Sequence, residues 1–162
     1  MENGEQKIFV WCDFSPEMDS AIKHGLTVAS ILGKELCLFH IWTKKLHENV
    51  EIAEAKLRGI VSELVKKYPT TRIHYFVRGG HFTDLLNDLA ELYDCILLVA
   101  HKNASPIILP DLQYSGFPFL FISAKNNIEM NYQRIVVPVG YMKKSKDLAL
   151  WASYLGRHNG AT

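Results

Sequence analysis

Histidine and cysteine side chains can bind metals, and cysteine can act as a nucleophile, but their spacing in this sequence favours neither role. The histidines considered for a metal site are His40, His74, His81 and His101. They are scattered, with no pair at the i, i+3 or i, i+4 spacing that places two ligands on one helix face. The cysteines are Cys12, Cys37 and Cys95. An odd number without close spacing argues against a disulfide framework and a structural zinc site. We therefore expect no bound metal and reduced, buried thiols.

Composition narrows the class of protein. The chain has 162 residues, is 48% hydrophobic and carries a formal net charge of +1. That length suits one domain of ordinary size, and the near-neutral charge gives no electrostatic reason to expect nucleic acid or anionic membrane as a partner. The first residues lack the pattern of a signal peptide, and no apolar run approaches the about 20 residues of a spanning helix. We expect a cytoplasmic protein.

Apolar runs alternate with helical patterns along most of the chain. The predicted strands are 7–12, 35–42, 72–77, 95–100 and 119–123. The first predicted helix begins after Pro16 and ends at Leu32. Two more cover 48–68 and 82–92, and a short one lies near 111–114. Continuously apolar strands alternating with helices predict an α/β fold, a doubly wound five-stranded parallel sheet with helices on both faces. Ligands of such folds bind at the carboxyl ends of the strands.

The opening β–α pattern recurs near the end of the chain. A second apolar run covers 134–139, and the helix after it matches the first helix at Ala29/Ala152, Ser30/Ser153, Leu32/Leu155 and Gly33/Gly156. A repeat of this length is an architectural signal. We interpret 7–123 as one domain, 124–133 as a linker, and 134–162 as the first strand and helix of a second, truncated domain.

Several stretches in a fixed order resemble the universal stress protein family, within the adenine-nucleotide alpha hydrolase-like folds. They are Asp13 after the first strand, Leu38-Phe39-His40-Ile41-Trp42, Val77-Arg78-Gly79-Gly80, Leu97-Leu98-Val99 and the strand opened by Pro118. The resemblance implies a sheet in the order 3-2-1-4-5 and a module of the stress response. It also implies a homodimer, or pairing with a second tandem domain, through the edge strand from Phe119 to Ser123.

Many members of that family bind ATP through a glycine-rich loop, G-x2-G-x9-G-S/T, after the fourth strand. Glycines let the backbone approach phosphates closely. Here His101 and Ala104 stand where the first two glycines belong, and the stretch to Pro118 is too short for the rest. We expect a non-enzymatic module without a cofactor. The alternative is an ATP-binding protein with a divergent loop, or with its nucleotide site in the missing second domain.

Three residues remain at the crevice that the resemblance implies: Asp13, Ile41 and His101. Asp13 aligns with an acidic residue near the nucleoside, and Ile41 with an apolar residue beside the adenine. The competing interpretations are a helix-entry residue for Asp13, core packing for Ile41, and a surface loop for His101. Since the implied order makes strands one and four neighbours, a weaker hypothesis is a hydrolase that uses Asp13 and His101 as an acid–base pair.

Overall fold

Five apolar runs of the sequence form one parallel sheet in the computed structural model, which describes residues 6–42, 49–110, 116–123, 132, 134–137 and 145–160. The strands are β1 (Lys7–Trp11), β2 (Glu35–Trp42), β3 (Ile73–Gly79), β4 (Cys95–His101) and β5 (Phe119–Ile122). Their order is β3-β2-β1-β4-β5, and every neighbouring pair is parallel. The predicted fold class and strand order are confirmed.

Helices connect the strands, as the alternating pattern predicts. They are α1 (Met18–Leu32), α2 (Val50–Lys67), α3 (Phe82–Glu91) and the short α4 (Ser105–Ile108). Helix α1 ends at Gly33, whose φ of 61° places it in the left-handed region that glycine tolerates. Helix α2 begins after Asn49, whose side chain accepts a hydrogen bond from the backbone N–H of Glu51. None of the helices in the described ranges is both long and apolar enough to cross a membrane.

Alternation along the strands divides the core between the two faces of the sheet. Phe9 packs with the residues of α3, and we call this cluster the α3-face core. Its members include Phe9, Phe39, Ile41, Leu85, Leu89 and Ile108. Val10 points to the opposite face, where it meets Gly25 of α1. Helices α1 and α3 therefore cover opposite faces, as predicted.

A buried carboxylate joins three strands at their amino ends. Glu35 lies at the start of β2 with 7% of its surface exposed. Its carboxylate lies 2.8 Å from Arg72 Nε, 3.5 Å from His74 Nε2 and 3.7 Å from Lys7 Nζ. A buried charge needs such partners. This ion cluster links the amino ends of β1 and β2 to Arg72, just before β3, and to His74 within it, at the end of the sheet away from the carboxyl edge.

Several elements begin or end one or two residues away from the sequence predictions; β3, for example, covers Ile73–Gly79 and not 72–77. Two of the differences concern the segments after β1 and β4. Pro16 lies in a turn with Glu17, and α1 begins only at Met18. Strand β4 runs one residue further than predicted, to His101, and continues into a 3-10 turn over Lys102–Ala104 and then α4. The predicted short helix near 111–114 lies outside the described residues.

The chain divides into two compact units, Met1–Lys125 and Asn126–Thr162. In the second unit, α5 covers Ser145–Asn159. It runs through Gly156 and ends before Gly160, which has a φ of 59°, so Gly156 does not stop its helix as Gly33 does. The predicted strand over 134–139 is not formed in its described part, 134–137. A strand requires a hydrogen-bonded neighbour, and the sheet of the described residues contains none for this segment.

Candidate functional site

The carboxyl ends of β1, β2 and β4 form the edge where a ligand is expected in this fold. Strand β1 lies between β2 and β4, and the direction of strand addition reverses there. The register pairs Val10 with Val99, so Cys12 and His101 each lie two residues further along neighbouring strands. Such a switch point is where open α/β sheets bind ligands.

Asp13 lies just beyond β1, and its side chain is exposed. Its Oδ1 accepts hydrogen bonds from the backbone N–H of Ser15 at 3.0 Å and from the Ser15 hydroxyl at 2.7 Å. These bonds form a turn of the kind that Asp commonly makes with the backbone two residues on. Asp13 thus shapes the chain entering α1, although it lies too early to cap a helix that starts at Met18.

His40 lies at this edge, and the sequence suggested no structural role for it beyond the resemblance of its strand and a possible metal ligand. It lies near the end of β2 with 3% of its surface exposed, and its Nδ1 lies 2.6 Å from the carbonyl oxygen of Cys12. Because a carbonyl oxygen only accepts, Nδ1 must carry the proton and donate. A histidine at an inward position of an otherwise apolar strand was the signal that could have indicated this role. His40 ties β2 to the loop that follows β1.

Ile41 points to the other face of the sheet from His40. It is 7% exposed and belongs to the α3-face core. The structure therefore places its side chain in core packing, the alternative that the sequence left open. Nearby, Trp11 ends β1 and its ring centroid lies 5.2 Å from that of Phe82, the first residue of α3.

His101 is buried, with 4% of its surface exposed, as the last residue of β4. The interpretation of His101 as a surface loop residue is wrong, because β4 extends one residue beyond its predicted end and carries the side chain inward. Its Nδ1 accepts a hydrogen bond from the backbone N–H of Asn103 at 3.2 Å. A ring nitrogen that accepts carries no proton. Nδ1 therefore cannot donate to a carboxylate such as that of Asp13.

The hydrolase hypothesis needs a carboxylate that orients an imidazole. In the structure, the hydrogen bonds of Asp13 go to Ser15, and Nδ1 of His101 is taken by the backbone. Neighbouring strands bring the two residues to one edge, as the strand order predicts. Each of them, however, forms its hydrogen bonds with a residue two positions further along its own segment. This geometry does not form the acid–base pair of a hydrolase.

The segment after β4 packs inward where a phosphate loop would be open. Ala104 is 4% exposed and Ile108 is fully buried, and both belong to the α3-face core. The backbone N–H of Ser105 bonds to the carbonyl of Lys102, and that of Leu109 bonds to the carbonyl of Ser105. These N–H groups are used within helical turns, and a phosphate cradle requires such groups to be available to the ligand.

The three thiols are not nucleophiles in this environment. All three cysteines are free and buried. Burial is the largest cause that raises the pKa of the Cys37 thiol to about 12, with a smaller contribution from Glu35 opposed by Lys7. Burial likewise raises the pKa of Cys12 and of Cys95. Each thiol keeps its proton at neutral pH and behaves as a small hydrophobic group.

Among the described residues, no group of three or more His, Cys, Asp or Glu side chains is arranged to hold a metal ion.

Comparison with known sequences gives weak relationships. No model of a protein family matches the chain. The chain is similar to the adenylosuccinate synthetases of two Staphylococcus epidermidis strains, with 23% identity over 143 residues in each case. These matches cover 86% of this chain and 32% of each synthetase. The chain thus spans about a third of the length of the curated relatives that it matches.

Several solved structures with the same fold are universal stress proteins. One, from Archaeoglobus fulgidus in complex with dAMP, has a TM-score of 0.58 and 16% identity, covering 72% of this chain and 97% of its own. Another, in complex with cAMP, has a TM-score of 0.57 and 18% identity, covering 75% and 99%. The universal stress protein UspA from Lactobacillus plantarum has a TM-score of 0.53 and 10% identity, covering 74% and 98%. This chain has the fold of the universal stress proteins.

Proposed function

We propose that this chain is a cytoplasmic, non-enzymatic module of the universal stress protein type, which works by assembly with a second such module and does not hold ATP on a phosphate loop. The observation that carries the proposal is the segment after β4. Where the ATP-binding pattern requires two glycines, this chain has His101 and Ala104, both buried. The same segment contributes Ile108 to the α3-face core.

A triphosphate needs backbone N–H groups that converge on it and no side chains in the way. The turn over Lys102–Ala104 and α4 use backbone N–H groups within their own helical turns. Opening this segment to make a cradle would expose Ile108, whose burial is worth about 1.5–3 kcal/mol. The cost of exposing Ile108 and the absence of the glycines both support this part of the proposal.

Calorimetric titration with ATP and magnesium tests this part of the proposal. We expect no saturable heat up to about 1 mM ATP, a concentration at which binding is worth only about 4 kcal/mol. The matched control is the same titration with magnesium and inorganic triphosphate, which separates phosphate binding from contacts to the base. Micromolar binding of ATP would contradict the proposal.

The assembly role rests on β5. Within the described sheet, β5 pairs with β4 alone, so one of its edges carries unpaired backbone groups. The rings of Phe117, Phe119 and Phe121 form a stacked row, with centroids 5.4 and 6.2 Å apart, and the last two are only partly buried. An apolar edge strand is a liability unless it is covered. We propose that it is covered by the β5 edge of a second copy, or by the same strand of a second tandem domain.

Light scattering coupled to size exclusion tests the homodimer. We expect the wild-type chain to elute with twice the mass of one chain, and Leu120→Lys, which puts a charge on β5, to elute as a monomer. The control is Ile52→Lys, because Ile52 is an exposed apolar residue of α2, which packs on β2 and β3 at the far side of the sheet. A wild-type monomer would overturn the homodimer and leave a second domain as the partner.

We further propose that the second unit, Asn126–Thr162, is the opening β–α unit of such a second domain. The sequence matches between α1 and α5 support this. Helix α5 also exposes large apolar residues, Leu148 and Tyr154 among them, which an additional layer of structure would cover. Hydrogen exchange of α5 in the isolated chain tests it: rapid exchange is expected, and protection equal to that of α1 would contradict it.

A second candidate function is binding of an adenine mononucleotide without a phosphate loop. It is favoured by the dAMP and cAMP complexes of proteins with this fold and by the exposed carboxylate of Asp13 at the carboxyl edge of β1. Titration with AMP tests it, with Asp13→Asn as the variant. Binding that is lost in Asp13→Asn would support this function, and no binding by the wild-type chain would exclude it.

A further inference from the structure

Helix α5 ends in an asparagine that is followed by a glycine, the dipeptide whose side-chain amide is lost most readily. Asn159 is the last residue of the helix, and Gly160 follows it with a φ of +59°. Among the described residues, apart from the two chain neighbours, no atom lies within 4 Å of the position that a Cβ on Gly160 would take. The backbone nitrogen of Gly160 therefore lies in an open environment.

The side-chain amide of Asn159 fastens the last turn of the helix. Its Nδ2 lies 2.8 Å from the backbone carbonyl oxygen of Leu155, one turn earlier. Because a carbonyl oxygen only accepts, the amide nitrogen donates this hydrogen bond. The bond joins residues four positions apart, the spacing of one helical turn, so it favours the helical form of this turn.

The backbone of the next residue supplies a nucleophile for the same amide. When the N–H of Gly160 gives its proton to solvent, the nitrogen can attack Cγ of Asn159, and the new N–C bond closes a cyclic imide. The Cγ–Nδ2 bond then breaks, and the side-chain nitrogen takes a proton from water and leaves as ammonia. A second water opens the imide at either carbonyl, which yields aspartate or its β-linked isomer. The net change is one water added and one ammonia lost.

The helical form of the last turn opposes this ring closure. Side chains of a helix tilt toward its N-terminus, whereas the following peptide nitrogen continues toward the C-terminus. The amide of Asn159 is accordingly directed back to Leu155, away from the nitrogen of Gly160. Attack requires the backbone of Asn159 to rotate out of the helix and the hydrogen bond to Leu155 to break.

We propose that Asn159-Gly160 is a site of spontaneous deamidation, that the last turn of α5 gates the reaction, and that the product keeps this turn open. The product carboxylate cannot donate to the carbonyl of Leu155. A negative charge is also unfavourable at the carboxyl end of a helix, where Arg157 and His158 lie. The reaction removes one unit from the formal net charge of +1. The end of α5 is therefore converted in one direction as the chain ages.

Incubation of the full chain at mildly alkaline pH, with peptide mass spectrometry at intervals, tests the site and its gate. The reference is the same chain unfolded in urea, where no helix protects Asn159. We expect Asn159 to convert about 2- to 13-fold more slowly in the native chain, because one hydrogen bond must break first. The matched control, Asn159→Gln, keeps the donor and should convert far more slowly in both states, since its longer side chain must close a larger ring.

Two results of this experiment would overturn the proposal. Equal rates in the native and unfolded chains would show that α5 does not gate the reaction. No conversion of Asn159 in the native chain, over ten times the period in which the unfolded chain converts completely, would show that it is not a deamidation site of the folded protein.

A second measurement follows the consequence for the helix. Asn159→Asp reproduces one product of the reaction, and Asn159→Gln, which keeps the donor, is its matched control. The Cα chemical shifts of residues 155–159 report how much of the time the last turn is helical, and we expect a smaller helical population in Asn159→Asp. Equal shifts in the two variants would overturn the claim that the product keeps the turn open. Neither measurement depends on whether the chain binds ATP or assembles with a second module.

Discussion

Replacing Gly25 with alanine tests how α1 is held against the sheet. A Cβ on Gly25 would lie 2.4 Å from Cγ2 of Val10 and 3.2 Å from Cδ1 of Leu36. Val10 is fully buried, and its β-branched side chain has little rotational freedom. Overpacking of this kind costs about 1–3 kcal/mol, whereas alanine gains about 1 kcal/mol over glycine in a helix interior. The net change is a loss of up to about 2 kcal/mol of unfolding free energy.

Gly59 provides the matched control for this prediction. It lies within α2 on the exposed side, and a Cβ there would meet nothing within 4 Å. Gly59→Ala should therefore raise the unfolding free energy by about 0.5–1 kcal/mol. Helix propensity cancels in the difference between the variants, which leaves the steric cost at Gly25. Urea unfolding followed by circular dichroism measures both. Equal stability of Gly25→Ala and Gly59→Ala would refute the packing of α1 described here.

Three further predictions concern buried polar groups and thiols. Glu35→Gln should lower the unfolding free energy by about 1–3 kcal/mol, because the cations of its ion cluster lose their carboxylate; unchanged urea unfolding would show that the cluster contributes nothing. His40→Leu should lower the unfolding free energy by about 1–3 kcal/mol, since the carbonyl of Cys12 loses its hydrogen-bond donor. An unaltered midpoint of thermal unfolding would contradict this. Burial raises the pKa of Cys37 from 9.0 to about 12, so between these values the unfolded chain loses a proton that the native chain keeps. The unfolding free energy should fall as the pH rises through this window. The unfolding free energy of Cys37→Ala should fall less steeply over the same pH range. An identical pH slope for the two proteins would count against the burial of this thiol.

The strands could be predicted from the sequence because most of their residues are apolar and polar residues bound them; the apolar run is least continuous in β3, which contains His74 and Arg78. A strand covered on both faces needs apolar residues at consecutive positions, as in the run Ile8–Cys12, and few other structures tolerate such a run without helical spacing. The order of the strands could not be predicted in the same way. Periodicity carries no information about which strands are neighbours, and the prediction of 3-2-1-4-5 came from the resemblance to a known family.

The site was less predictable, because small changes in strand ends decide which side chains are buried. One extra residue at the end of β4 converts His101 from a loop residue to a buried one. The position of Phe14 depends on its left-handed backbone and on two partners distant in sequence, His40 and Lys56. Local patterns contain neither fact.

The second unit shows the limit of a repeat as evidence for structure. The match of α5 to α1 predicted a helix, which is present over Ser145–Asn159. The apolar run before it predicted a strand, and its described part, 134–137, is not one. A helix satisfies its backbone hydrogen bonds internally, whereas a strand depends on a neighbour. Sequence alone specifies the first more completely than the second.

The backbone amide signals of residues 102–105 and 107–109 in the presence of magnesium and ATP test the central claim most directly, since they report on the segment that replaces the phosphate loop. The account predicts that these signals stay in place up to about 1 mM ATP, where an occupied site would be worth only about 4 kcal/mol. Saturable shifts of the Lys102–Ala104 amides would show that this turn opens to cradle phosphates, and would contradict the account.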